Sequence, residues 1–302
     1  MKMRNHKITV KLQGGLGNQL FIYFAGLALA KKRSVPLVID TTLLKLGLTD
    51  HGSEIFKLDL DFNQITGKPP GTLRALGYRI WNKLIRVSYL MNLLDRRIFM
   101  NYRSNKVGYD ENLWDHPVGS TLFGYFQTWK FLDFIAKEGF IKSVFPRSPS
   151  IWFQNSLKEI SEQNPIVIHV RRGDYVKVAD KFGLLSKSYY LNSLKKIRDD
   201  GFAGPIWVFS DDILSAKALL DEGEFISARF IEQSVDSSPE ESLILMSMAK
   251  VIVIANSTYS WWAASLNVEK SLVISPKTWF KSMEAPEYLF PDSWIKLEST
   301  WV

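Results

Sequence analysis

Three short stretches carry side chains whose types and spacing could do chemistry. The first is Ile166-Val167-Ile168-His169-Val170-Arg171-Arg172-Gly173-Asp174-Tyr175. Its β-branched run after Pro165 favours a buried strand that stops at Gly173. Side chains alternate across a strand, so His169 and Arg171 share one side and leave the strand end together. Two adjacent guanidiniums on Arg171 and Arg172, a glycine that admits close backbone approach, and Asp174 to fix one arginine describe a seat for phosphate. Taken alone, such a tetrapeptide also fits a solvated loop with a surface ion pair. Two further stretches shift the balance: Val208-Phe209-Ser210-Asp211-Asp212, and Val251 through Asn256-Ser257-Thr258-Tyr259-Ser260 to Trp262, each again an apolar strand running into small polar residues. Asp211 and Asp212 suit either a helix cap near Leu214 or a ligand's hydrogen-bond donors. Hydroxyls of Ser257, Thr258 and Ser260, with the open amides of a helix start, make a second anion site. Trp261 and Trp262 read as core.

The elements that must position these residues alternate regularly. Strands at 166–170, 205–209, near 226–231, 251–255 and 271–275 are separated by helices near 187–199, 213–222, 239–249 and 260–267. That order predicts a parallel sheet with helices on both faces and a ligand at the carboxyl ends of the strands. The chain opens in the same way: a strand from Ile8 to Leu12, a glycine loop, a helix through about Lys32, and a strand from Val35 to Asp40. The loop sits at a strand end, so Gly17, Asn18 and Gln19 are expected to face ligand. Gly15-x-Gly17 with Asp40 imitates a dinucleotide fingerprint, which makes an NAD-dependent oxidoreductase the runner-up. Leu20 stands where the third glycine belongs, and a bulky side chain there would push the helix off its strand. Asp59-Leu60-Asp61 spells a metal-binding tripeptide, but Leu58, Leu60 and Phe62 alternate around it as in a half-buried strand. The turn Gly124-Tyr125-Phe126-Gln127-Thr128-Trp129 could stack on a pyranose while Gln127 meets a hydroxyl, although such turns also serve as core.

With 302 residues, 46% hydrophobic and 23% charged, the chain is long enough for two cores. The Pro- and Ser-rich segment Pro146 to Ser150 marks the crossing, giving expected domains 1–150 and 151–285 and an irregular tail 286–302 able to return to the first half. The absence of cysteine excludes disulfides and thiolate chemistry and suits a reducing compartment. A net charge of +7 favours acidic ligands or an anionic membrane surface. An RNA-binding module would suit the charge too, but no aromatic strand pattern of that kind is present. Basic residues from Arg74 to Arg103 lie on a helical pattern that either packs on its own domain or rests on anionic lipid. No signal-peptide core and no long uncharged apolar run is found, so a cytoplasmic protein, at most peripheral on the inner face of the cytoplasmic membrane, is expected.

Gly14-Gly15-Leu16-Gly17-Asn18-Gln19-Leu20-Phe21, then His169-Val170-Arg171-Arg172-Gly173-Asp174-Tyr175, then Asn256-Ser257-Thr258-Tyr259-Ser260-Trp261-Trp262-Ala263-Ala264 resemble, in that order, the motifs of bacterial α-1,2-fucosyltransferases of glycosyltransferase family 11. The resemblance implies a GT-B type fold, two Rossmann-like domains facing across a cleft. The C-terminal one would hold GDP-fucose and the N-terminal one would shape the acceptor site. It implies transfer of L-fucose with inversion to the 2-hydroxyl of a galactose in an oligosaccharide or lipid-linked glycan, such as an O-antigen. No metal or other cofactor and no nucleic acid takes part in that reaction. Cationic side chains must then hold the departing diphosphate. Carried over residue by residue, the resemblance assigns Arg171, with Arg172 second, to the β-phosphate and His169 to the guanosine. It also gives Asp212, ahead of Asp211, to guanine. Asp174, Asn256, Ser257, Thr258 and Ser260 complete the expected donor site; Gly17, Asn18 and Gln19 lie on the acceptor or diphosphate side. His51, His116, Asp115 and Asp40 stand unranked as general bases.

Overall fold

In the computed structural model, residues 6–45, 52–62, 64–66, 101–104, 106–137, 144–266 and 272–302 are described. The basic stretch from Arg74 to Arg97 and His51 lie outside them. Two units divide the chain: Met1–Phe56, Leu60–Lys142 and Pro286–Leu289 form one, and Lys57–Asp59, Ser143–Ala285 and Phe290–Val302 the other.

Ile8, Val10 and Leu12 alternate with polar residues, and all three are fully buried. They define β1 (Ile8–Lys11), which pairs in parallel with β2 (Leu37–Asp40) on one side and β5 (Thr121–Phe123) on the other. With β3 (Gln64–Thr66) and β4 (Asn101–Arg103) the sheet order is β3-β2-β1-β5-β4. Helix α1 (Leu16–Lys32) is apolar nearly all round, as a helix covered on all sides must be, and ends on Lys31 and Lys32 where its dipole favours cations. Leu20 is buried without pushing the helix away. The close contact is made one turn and a half later by Gly26, where an added Cβ would lie 2.2 Å from Val10 Cγ1 and 2.9 Å from Leu37 Cδ1. Helix α2 (Trp129–Lys137) packs an apolar face of Phe131, Leu132 and Ile135 on the same unit.

The second unit begins with α3 (Ile151–Gln163), capped by Ser150 and stopped by Asn164 in the left-handed region. Its sheet runs β11-β10-β9-β6-β7-β8, all parallel: β6 (Ile166–Val170), β7 (Ile206–Ser210), β8 (Arg229–Phe230), β9 (Val251–Val253), β10 (Leu272–Pro276) and β11 (Ile295–Leu297). Every residue of β6 is buried, which is why it reads as a continuous apolar run. Helices α4 (Lys187–Asp199), α5 (Ile213–Leu219), α6 (Pro239–Ser247) and α7 (Thr258–Ser265) connect the strands. Ser238 and Glu241 form a capping box on α6 with Pro239 in the first turn. The Glu241 carboxylate also takes the Ser150 N–H at 2.5 Å and Ser150 Oγ at 2.9 Å, so one carboxylate joins the starts of two helices.

Three expectations are corrected. The strand expected over 226–231 shrinks to Arg229–Phe230, because Gly223–Ser227 winds into a 3₁₀ turn. The tail is not wholly irregular: only Pro286–Leu289 belongs to the first unit, while Ile295–Leu297 adds β11 beside β10. Thr300 O then accepts from Ser186 N at 2.8 Å, and Trp301 lies over Gly183, where a Cβ would come within 2.4 Å of its ring. Around Asp59-Leu60-Asp61 the leucines Leu58 and Leu60 are buried, Asp59 and Asp61 are exposed, and the Asp59 N–H bonds Phe145 O at 2.7 Å; the expected strand is corrected to a single bridge from Leu58 to Pro146, with residues 59–62 forming no strand. Among the described residues no helix is long and apolar enough to cross a membrane.

Gly26→Val should overpack the α1–β1 contact and lower unfolding stability by about 1–3 kcal/mol, measured by urea denaturation. An unchanged midpoint would show that α1 does not rest on β1 through residue 26.

Candidate functional site

In the second sheet the chain leaves β6 for β7 and β8 on one side and returns through β9 on the other. The gap between β6 and β9 is therefore its topological switch point, where open α/β sheets bind ligands beyond the carboxyl ends. Arg171, Gly173 and Tyr175 follow β6 there, and Asn256, Ser257 and Thr258 follow β9.

Arg171 presents its guanidinium at this end, with its side chain 19% exposed. Asp174 Oδ1 accepts from its Nη2 at 2.6 Å, Asp211 Oδ2 lies 3.3 Å from Nε, and the Tyr175 ring lies beneath at 5.1 Å. Burial pushes the Tyr175 phenol up to about 12, so it stays protonated and donates to Asn256 O at 3.1 Å. The Asn256 amide in turn donates to the carbonyls of Phe182 and Gly183 at 2.9 and 3.2 Å. Asn256 is thus buried and ties the 173–183 segment to β9; its side chain is not offered to a ligand.

Arg172 points the other way. It is 6% exposed, its Nη2 donates to Leu185 O at 2.8 Å, and burial lowers its pKa. The expected pair of guanidiniums is corrected to one, because neighbours along an extended chain face opposite sides. Asp211 fixes this divergence by accepting from the Arg172 N–H at 2.9 Å. Gly173 makes room for it: a Cβ there would stand 2.1 Å from Asp211 Oδ2.

Asp212 caps α5, with Ser215 N at 3.0 Å on one oxygen and Ser215 Oγ at 2.7 Å on the other. These bonds hold its carboxyl below the usual range. Of the hydroxyls after β9, Ser257 caps α7 and Ser260 is fully buried against Ala255 O and Ser257 O, both at 3.3 Å. Only Thr258 of the three is partly exposed, at the first turn of α7.

His169 lies on β6, 2% exposed, with its ring 5.6 Å from that of Tyr259. Burial, with the Arg171 charge adding, pushes its pKa down to about 3, so the imidazole is neutral. Its Nδ1 is buried and has no hydrogen-bond partner. Tyr175 and Tyr259 were given no role from sequence. The signal for Tyr175 was its place four residues after Arg171, within reach of a cation–π contact.

In the first unit Gly14 adopts φ 71° and Asn18 lies against it. Asn18 Oδ1 accepts from Gln127 Nε2 at 2.9 Å. Gln19, expected to face ligand, is fully buried and pins the loop instead, donating to Gly14 O at 2.8 Å and Gly52 O at 2.7 Å. Gly17 is buried within α1. Asp40 accepts from Thr42 N at 2.9 Å, a local turn at the end of β2. His116 stacks on Tyr102 at 3.9 Å.

The model described as Glycosyl transferase family 11 matches residues 151–298. O-antigen biosynthesis glycosyltransferase WbnK of Escherichia coli is 32% identical over 313 residues, spanning 95% of this chain and 99% of that protein. An Alpha-1,2-colitosyltransferase of Escherichia coli is 29% identical over 309 residues, spanning 96% of this chain and 99% of that protein. Among solved structures, selenomethionyl fucosyltransferase NodZ from Bradyrhizobium superposes with a TM-score of 0.50 at 14% identity, covering 87% of this chain and 93% of that one. That likeness speaks for the fold alone, which is of GT-B type with two Rossmann-like units. The oxidoreductase alternative finds no support in these relatives.

Asp174 neutralises Arg171 from an exposed position, so Asp174→Asn should tighten pyrophosphate binding roughly two- to fivefold by calorimetry, the range of an exposed ion pair. Weaker binding would mean that Asp174 orients Arg171 for the anion. A second prediction concerns pH. The unfolded imidazole of His169 gains a proton below about 6.5, and the native one only near 3, so this group removes stability as pH falls through that window. Between pH 8 and pH 5 the loss is roughly 2 kcal/mol, and His169→Gln should remove it in urea titrations at the two pH values.

Proposed function

Because the chain belongs to glycosyl transferase family 11, we propose that this glycosyltransferase moves L-fucose from GDP-fucose to the 2-hydroxyl of a galactose in an O-antigen or related oligosaccharide. The observation that carries this reading is the single guanidinium of Arg171, held at the switch point by Asp174, Asp211 and Tyr175.

When the acceptor oxygen attacks the anomeric carbon from the face opposite GDP, the sugar–phosphate bond breaks and negative charge grows on the β-phosphate oxygen. A cation fixed beforehand stabilises that charge without reorganising as the bond breaks. Arg171 is the catalytic residue in this scheme, and no metal is required of it. Thr258 and the open amides at the start of α7 receive the remaining phosphate oxygens. Neutral His169 offers its unpaired Nδ1 to the nucleoside. A carboxylate has about four lone-pair positions, so Asp212 can accept from guanine while it caps α5. The C-terminal unit is the donor domain and the N-terminal unit the acceptor domain. The enzyme works in the cytoplasm, where GDP-sugars and lipid-linked acceptors meet.

A second reading keeps the linkage and changes the sugar. The colitosyltransferase relative favours colitose as the sugar moved, a sugar that lacks the 3-hydroxyl of fucose. Site chemistry separates the two: a pocket that hydrogen-bonds the 3-hydroxyl rejects the deoxy sugar strongly, whereas one that does not discriminates weakly.

Calorimetry in EDTA with GDP, ADP, UDP and NAD, followed by transfer assays with GDP-fucose and GDP-colitose on galactosides, tests both readings. GDP alone should bind, and Arg171→Ala should lower kcat roughly 100- to 1,000-fold with its melting temperature unchanged. A fully active Arg171→Ala, or NAD binding without GDP binding, would overturn the proposal.

A further inference from the structure

The first sheet has a switch point of its own. From β1 the chain moves to β2 and β3 on one side and comes back through β4 and β5 on the other, so β1 and β5 are neighbours whose following loops diverge. Asn18 belongs to the loop and first turn after β1, and Gln127 to the turn after β5. Their side chains hydrogen-bond at 2.9 Å across 109 residues of sequence.

Three features of this junction differ from plain packing. Gln127 is 7% exposed, and its Nε2 is held by Asn18 while its Oε1 has no hydrogen-bond partner. Gln19, the neighbouring buried amide, shows what a structural glutamine does here: both ends are used, its carbonyl taking the Ile55 N–H at 3.4 Å. A buried unpaired carbonyl calls for an explanation, and a ligand hydroxyl is one. Second, Phe126 sits at φ 53°, a region that bulky residues avoid and that is found where structure holds strain at binding sites. Its ring is fully buried, lying against Gly124, where a Cβ would come within 3.0 Å of Phe126 Cζ. Third, the residue before it is turned out: Tyr125 is 37% exposed, in a turn held by the Gln127 N–H on Val107 O at 2.7 Å.

An exposed tyrosine two residues before a glutamine whose buried carbonyl is unpaired and whose amide is held by Asn18 supplies the equipment for a pyranose. The ring's apolar face covers the tyrosine, and two adjacent hydroxyls give one hydrogen bond to the Gln127 carbonyl and accept one from the Asn18 amide. We propose that Tyr125, Gln127 and Asn18 form the subsite for the terminal hexose of the acceptor. This rests on the glycosyltransferase reading above and adds to it the residues that choose the acceptor.

Tyr125→Ala and Gln127→Ala should each raise the acceptor KM about tenfold, the effect of one lost stacking or hydrogen-bonding contact. GDP affinity and the slow hydrolysis of donor by water should stay within about twofold of the parent protein, and Tyr125→Phe should behave like the parent. Saturation-transfer NMR with methyl galactosides and GDP on the full chain reads the same site without transfer, and its signals should vanish in Tyr125→Ala. Gln127→Glu, close in shape, replaces Gln127→Ala if the latter melts early. Unchanged acceptor KM and unchanged galactoside signals in these variants overturn the subsite, as does a loss of GDP affinity equal to the loss of acceptor affinity. A parent protein that binds no GDP defeats the functional proposal instead, and the galactoside signals then still decide the subsite.

Discussion

Asp211 sets how the chain leaves β6, and the rest of the donor-side geometry depends on that exit. One carboxylate oxygen holds the Arg172 N–H, and the other lies beside Arg171 Nε. Both contacts need a residue without Cβ at position 173. The backbone so held throws Arg171 toward the strand ends and drives Arg172 into the interior, where Leu185 O receives it. The following turn lays Tyr175 under Arg171 and brings its hydroxyl to Asn256, which closes the circuit to β9. Three strand ends are thereby fixed through one carboxylate and one amide, and the cation is oriented before any anion arrives.

The two units solve the same problem with different chemistry. Each has a central strand whose neighbours depart in opposite directions, and each bridges that gap with a polar contact distant in sequence. In the second unit the bridge is Tyr175 to Asn256, and in the first it is Gln127 to Asn18. Charge surrounds the former and neutral amides and aromatics the latter. Charged surroundings suit a diphosphate and neutral ones suit hydroxyls.

Much of this was legible in the chain. Helices α3 and α4 fall at 151–163 and 187–199, because apolar periodicity agrees there with tertiary packing, and Ser150 caps the first of them. β6 was plain because five consecutive residues are buried. The first half was harder to read: β4 and β5 have three residues each, too few for a period to show. At the site, the alternation of side chains along the chain should have sent Arg172 away from Arg171; the density of charge in Arg-Arg-Gly-Asp hid it. Gln19 could not be distinguished from Asn18, since which of two adjacent amides turns inward is decided by Gly52 and Ile55, far along the chain. Gly26 went unnoticed because the fingerprint places its third glycine earlier in the helix.

β11 bears on how the protein is made. The second sheet takes its edge strand from Ile295–Leu297, and Ser186 Oγ meets Thr300 Oγ1 at 2.6 Å over 114 residues of separation. Trp301 covers Gly183, next to the segment that Asn256 ties down. On a ribosome, this unit cannot complete its sheet until residues 295–301 have left the exit tunnel. β10 therefore waits with an open edge while the nascent chain lengthens, and loops closed over such separations form slowly. That interval is when the polypeptide is most exposed to mispairing and has most need of chaperones.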